Sequence, residues 1–110
     1  MSKVMHSEFV QHLIEDLLSD IQGISARAMF GGYGIYYHKK IFGIIAKDEI
    51  YFKAKDELAK EYLNAGSQPF TYLKNNKPYT MCYFKVPEAV LTNKEILTLW
   101  ATKSIKQSTS

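Results

Sequence analysis

Apolar residues recur at helical spacing at the start of the chain and at alternate positions after it. Phe9, Leu13, Ile14, Leu17, Leu18 and Ile21 fall on one face of a helix, with Glu8, Glu15 and Asp16 on the other. Ser7 can cap that helix, and Gln22-Gly23 ends it after about Asp20, because glycine tolerates the left-handed conformation of a helix stop. From Ile24 to Ala54 the residues become β-branched and aromatic. The pattern predicts strands near 25–30, 33–38, 41–47 and 50–54, with Lys39-Lys40 and Asp48-Glu49 as the turns of two tight hairpins. Ile35 and Tyr37, then Ile41, Gly43 and Ile45, alternate as a sheet with one packed face requires, and tight hairpins make that sheet antiparallel.

Asp56 opens a second helix, Glu57 to about Ala65, with Leu58, Tyr62 and Leu63 toward the core and Gly66 as its stop. A strand at Phe70 to Lys74, an Asn75-Asn76 turn and a strand at Tyr79 to Val86 come next, and Pro87 ends the pair. Thr92 to Glu95 reads as a capping box before a third helix bearing Ile96, Leu97, Leu99 and Trp100. The order α-β4-α-β2-α predicts a two-layer α+β fold, an antiparallel sheet with helices packed on one face. Without repeats or linkers, residues 1–106 read as a single domain, and the polar end 107–110 as a disordered tail.

Composition narrows the class. A chain of 110 residues that is 46% hydrophobic and 23% charged can build one core, and no apolar run reaches the roughly 20 residues needed to span a bilayer. Cys82 is the lone cysteine, so neither an internal disulfide nor a cysteine zinc cage can form, and a reducing cytoplasm is the expected location. No signal peptide is evident before Phe9. The net charge of +3 is uneven: residues 1–23 are acidic and the remainder basic, which permits contact with a polyanion without requiring it.

The most distinctive segment is Arg27-Ala-Met-Phe-Gly-Gly-Tyr-Gly34. Gly31 and Gly32 between strand-like runs mark either a β-bulge or a place where a backbone or a ligand comes close; Arg27 beside them suits a small anion. Sheet geometry favours the bulge, and no P-loop or dinucleotide fingerprint is present. Eight tyrosines form the second feature. Tyr33, Tyr36, Tyr37, Tyr51, Tyr72, Tyr79 and Tyr83 lie on or beside predicted strands, interleaved with Lys47, Lys53, Lys74, Lys77 and Lys85. Strand propensity accounts for most of them, while a stacking platform for single-stranded nucleic acid or a protein contact surface would use the same residues. Cys82, between Met81 and Tyr83, reads as a buried, inert thiol. His6, His12 and His38 lack metal-ligand spacing, and no catalytic set emerges.

The run Arg27-Ala-Met-Phe-Gly-Gly-Tyr-Gly-Ile-Tyr36 resembles the signature of the TfoX N-terminal domain family, related to the Sxy competence regulators. The resemblance continues through Phe42-Gly-Ile-Ile-Ala46, Ile50-Tyr-Phe-Lys53, Pro69-Phe-Thr-Tyr72 and Met81-Cys-Tyr-Phe-Lys-Val-Pro87, and covers about residues 9 to 103. It implies a two-layer α+β fold of the secretion-chaperone-like kind and a role in regulating competence and DNA uptake. Regulators of this kind carry a second, helical C-terminal domain that the sequence to Ser110 does not include, so a retained partner-binding task is expected. No catalytic residues carry over. Arg27, Gly31, Gly32, Tyr33 and Lys53 match motif positions; with Tyr72 and Tyr83 they are the candidate binding residues. The expected function is a non-enzymatic regulatory module working through protein partners, the transcription machinery first among them. Direct nucleic-acid binding through a Lys/Arg/Tyr sheet surface is the alternative, and small-anion binding at Arg27 and Gly31-Gly32 ranks below both. Neither cofactor, metal nor membrane is expected, and a free sheet edge invites a homodimer.

Overall fold

The computed structural model describes residues 10–29, 32–46 and 49–109. The chain opens with a helical segment, α1, whose hydrogen-bonded turn Leu13–Leu17 is wound one residue wider than an α-helix. The Leu18 N–H donates to the Leu13 carbonyl at 2.8 Å, and this i→i+5 closure buries both leucines fully. Ser7, the expected cap, lies outside the described residues. Four strands follow, β1 (Ile24–Met29), β2 (Gly32–Tyr37), β3 (Lys40–Ala46) and β4 (Glu49–Lys53). The turn between β2 and β3 falls at His38-Lys39, one residue before the expected Lys39-Lys40. His38 takes the left-handed conformation (φ 56°), and its N–H donates to the Gly23 carbonyl at 2.8 Å.

Helix α2 (Asp56–Asn64) starts one residue earlier than predicted, with Lys55 rather than Asp56 at the capping position. Gly66 ends it at φ +84°, as the sequence requires. Strands β5 (Pro69–Lys74) and β6 (Lys77–Lys85) are joined by Asn75-Asn76, both at positive φ. That is the two-residue mirror-image turn whose twist matches a hairpin, and asparagine is among the few residues that tolerate it. After Pro87 a short helix, α3 (Glu88–Leu91), precedes α4 (Lys94–Thr109). The cap of α4 is not the expected Thr92. Asn93 Oδ1 accepts the Ile96 N–H at 3.2 Å, while the Thr92 hydroxyl donates back to the Ala89 carbonyl at 3.2 Å. The extra helix α3 engages Thr92, and so passes the capping role to the next residue. Helix α4 continues through Gln107 to Thr109. Gln107 accepts from the Lys55 N–H at 2.8 Å and donates to the Lys55 carbonyl at 3.0 Å, and Ile105 is buried, so α4 is held to its end.

All six strands form one antiparallel sheet in the order β1-β2-β3-β4-β6-β5. Residues directly opposite each other share a face, so the register assigns the faces. Ala26, Ile35, Gly43, Phe52, Phe84 and Pro69 form one row across every strand. Ile35, Phe52 and Phe84 in this row join Phe42, Leu58, Tyr62, Leu97 and Ala101 in the core. On that face α4 packs against β3 and β4, α2 against β6, and α1 against β1 and α4. The α+β layout with helices on one face is therefore the observed one. No helix among the described residues is long and apolar enough to cross a membrane.

The hairpin of β5 and β6 outreaches this layer. Pairing between β4 and β6 stops at Lys53–Tyr83, and every residue from Thr71 to Cys82 is exposed. Cys82 is thus a correction: read as buried, it is an exposed free thiol. Its strand is apolar enough for a core, but no helix among the described residues extends over that part of the hairpin.

Candidate binding face of the sheet

The register that fixes the core row also fixes its opposite. Arg27, Gly34, Ile44, Tyr51 and Lys85 are successive cross-strand partners from β1 to β6, and Lys53 stands opposite Tyr83. These residues, with Tyr36, occupy the face that no helix among the described residues covers. Arg27 is exposed and its guanidinium lies 5.4 Å from the centre of the Tyr36 ring, a cation–π contact. Lys53 is half-buried, and Tyr83 beside it is only 8% exposed. Burial pushes the Tyr83 hydroxyl pKa up, helped by the negative charge that Tyr36 and Cys82 would carry when ionised.

Aromatic rings continue from this row onto the hairpin. Tyr51 meets Phe70 edge-on at 5.1 Å, Phe70 lies stacked against Tyr72 at 6.3 Å, and Tyr72 against its cross-strand partner Tyr79 at 5.8 Å. Exposure rises outward along this ladder, to 39% at Tyr72 and 45% at Tyr79. At its inner end Glu49 takes a hydrogen bond from the Tyr51 hydroxyl at 3.1 Å and pairs with Lys85 at 2.7 Å. Burial, then the Glu49 hydrogen bond and charge, raise the Tyr51 pKa.

The carboxylates, unlike the cations, are unevenly divided between the two faces. Among the described residues, Arg27, Lys53, Lys74, Lys77 and Lys85 lie on the open face or its hairpin, with Glu49 as the one carboxylate there. The helical layer holds Glu15, Asp16, Asp20, Asp56, Glu57, Glu61, Glu88 and Glu95, together with Lys55, Lys60, Lys94, Lys103 and Lys106. A surface with a net positive charge and exposed aromatic rings attracts ligands of the opposite sign.

The other predicted residues fall elsewhere. Tyr33 is half-buried and packs on the core side, opposite Ala28 and Ile45. Gly31 lies outside the described residues. Gly32 is no bulge: it pairs in register with Met29, and the irregularity in β2 comes later, between Ile35 and Tyr36, opposite the extra residue Phe42. A Cβ on Gly32 would run into the Ile45 carbonyl oxygen and stand 3.2 Å from its carbon, so the glycine admits the β3 backbone. Gly32 and Arg27 therefore do not converge on a ligand. An open recess of about 430 Å³ lies between α2 and the base of the hairpin; Ala54, Ala59, Pro69, Cys82 and Phe84 line it, and neither Arg27 nor Gly32 does. No group of three metal-ligating side chains occurs among the described residues. Phe70 was the ring that composition did not single out. Its spacing of two from Tyr72 is the signal that would have placed it on the same face.

A family model for the TfoX N-terminal domain matches residues 16–108. The chain belongs to the TfoX N-terminal domain family. The DNA transformation protein TfoX of Haemophilus influenzae is 25% identical over 104 residues, covering 93% of this chain and 46% of that protein. Protein Sxy of Escherichia coli is 24% identical over 80 residues, 73% of this chain and 38% of the relative. The chain thus spans less than half the length of the relatives it matches. The TfoX signature runs from Arg27 in β1 to Tyr36 in β2, and its two non-glycine polar ends, Arg27 and Tyr36, are the pair in contact on the open face. Its glycine at 32 serves strand packing instead.

Proposed function

We propose that this TfoX-type domain is a non-enzymatic regulatory module that acts in competence-related control of transcription, in the cytoplasm, by docking an acidic protein partner on the open face of its sheet. The observation that supports this most directly is the scarcity of carboxylates on that face. Arg27, Lys53 and Lys85 share a helix-free face with Tyr36 and Tyr51, while the carboxylates gather in the helical layer. Tyrosine and arginine are the residues that most often anchor protein interfaces, since they combine contact area with a polar tip. The relatives named for DNA transformation and Sxy supply the regulatory context.

The test is capture of partners by the immobilised domain and by Arg27→Ala/Lys53→Ala, followed by titration of the purified candidate. Specific binding of a transcription-machinery component that the double variant loses, at unchanged melting temperature, is the expected result. Equal binding by both proteins would remove the open face from the proposal. A second reading, contact with nucleic acid, has its own observation: no carboxylate occurs from Tyr62 to Pro87, a stretch that includes the whole projecting hairpin.

A further inference from the structure

We infer that the β5–β6 hairpin is an arm that enters a groove of duplex DNA, with Lys74 and Lys77 on phosphates and Asn75 and Asn76 at the base edges. This goes beyond the docking of a protein on the open face and uses different residues. Three observations carry it.

The first is shape. Beyond the Lys53–Tyr83 pairing the hairpin is a two-stranded ribbon with both faces exposed, including Leu73 at 73%. Four residues on each strand, Thr71–Lys74 and Lys77–Thr80, precede and follow the turn, a reach of roughly 13 Å at the usual rise per residue. A ribbon of two strands is one of the two elements that the major groove, about 12 Å wide and 8.5 Å deep, admits.

The second is charge. Lys74 and Lys77 are direct cross-strand partners beside the turn. Like charges in that position repel, and a neighbouring carboxylate ordinarily relieves them. Here neither the hairpin nor the segments that join it to α2 and α3 contain one. The pair is neutralised best by an external polyanion, and its chemistry fits phosphate.

The third concerns which nucleic acid. Tyr72 and Tyr79 lie stacked against each other at 5.8 Å, so each ring already has a partner for part of its surface. A single strand is held by aromatic faces left free for bases, whereas a duplex keeps its bases stacked and needs cations and amide groups from the protein. The turn between the lysines offers two carboxamides, the groups that pair with the major-groove edge of adenine.

Fluorescence anisotropy of a labelled duplex, titrated with the 110-residue chain between about 50 and 200 mM salt, tests the inference. Binding should weaken with salt, and Lys74→Ser/Lys77→Ser should make the slope of log K against log salt shallower by about 2. Those two contacts alone correspond to about a 12-fold loss of affinity across that salt range. Lys60→Ser/Lys94→Ser removes the same charge from the helical layer and should leave the slope unchanged. Asn75→Gly/Asn76→Gly preserves a turn that needs positive φ and should reduce preference among sequences at an unaltered slope. No duplex binding by the wild-type chain at the lowest salt would overturn the inference. So would an equal drop in slope in the helical-layer control, or tighter binding to a single strand than to the duplex. Dimerisation of Lys74→Ser/Lys77→Ser with DNA affinity intact would show that the lysines only keep the β5 edge from pairing, and would overturn it too. None of these outcomes bears on Arg27 or Lys53, so the protein-docking proposal stands or falls separately.

Discussion

Replacing Gly32 by alanine separates the two readings of the glycine motif, because a packing role and a ligand role predict opposite results. The new methyl group would strike the Ile45 carbonyl oxygen and lie 3.2 Å from the Ile45 carbonyl carbon and 3.5 Å from the Ala46 Cα, all backbone atoms of β3. Favourable contact between carbon atoms needs about 3.5–4.0 Å, and a backbone cannot rotate aside as a side chain can. Relief therefore requires β3 to retreat from β2 where Tyr33 faces Ile45. Overpacking of this kind costs about 1–3 kcal/mol, and the loss of a ladder hydrogen bond adds about 1 kcal/mol. The reduced freedom of the unfolded chain returns about 0.4–1 kcal/mol. The net expectation is a loss of about 2–3 kcal/mol, or roughly 10 °C in melting temperature for a domain of this size. Urea unfolding followed by the fluorescence of Trp100, the single tryptophan, measures it directly. Gly66→Ala provides the comparison: it meets no atom within 4 Å but sits at φ +84°, so it should lose only about 1–2 kcal/mol. A Gly32→Ala protein as stable as the wild type would refute the packing argument and return the motif to a ligand role.

Asn93→Ala should destabilise the domain by about 1 kcal/mol in the same assay, and Thr92→Ala by clearly less, because only Asn93 accepts a helix N–H. Burial raises the Tyr62 pKa from its ordinary 10.0, with Ser104 opposing and the Glu61 charge adding to the rise. The folded state therefore holds its proton where the unfolded chain releases it, so this contribution is complete below pH 10.0 and is lost progressively above it. Urea midpoints should fall between pH 9 and 11, each unit above the unfolded pKa removing up to about 1.4 kcal/mol. Tyr62→Phe should flatten that fall, and phenolate absorbance showing Tyr62 ionised in the native state together with exposed tyrosines would contradict the assignment. Cys82, exposed on β6, should react stoichiometrically with a thiol reagent in native buffer; reaction only after denaturant is added would place it back in the core.

Local chemistry was enough for the order of the strands and of every helix except α3. Asn75-Asn76 permits a turn that few other residues allow, Gly66 stops α2 and Pro87 ends β6, whereas the alternation read through Ile41, Gly43 and Ile45 is broken by the extra residue Phe42. The family signature was equally legible, since it depends on residue types at fixed spacings. What the sequence did not determine was which side of each strand the helices would cover. Alternation defines two faces but does not name the buried one, and a shift of one residue exchanges them. Tyr33 and Tyr36 both sit in the motif, yet register sends one to the core and the other to Arg27. The cap of α4 passed from Thr92 to Asn93 only because α3 forms and engages Thr92. Cys82 looked buried because its neighbours are apolar, but burial needs a covering element, and α2 ends its contact with β6 before the hairpin does. The scarcity of carboxylates on the open face is likewise a property of the sheet order and of where the helices pack. That order places Arg27, Lys53 and Lys85, which are far apart in the chain, on one face of the sheet, and no local pattern encodes that.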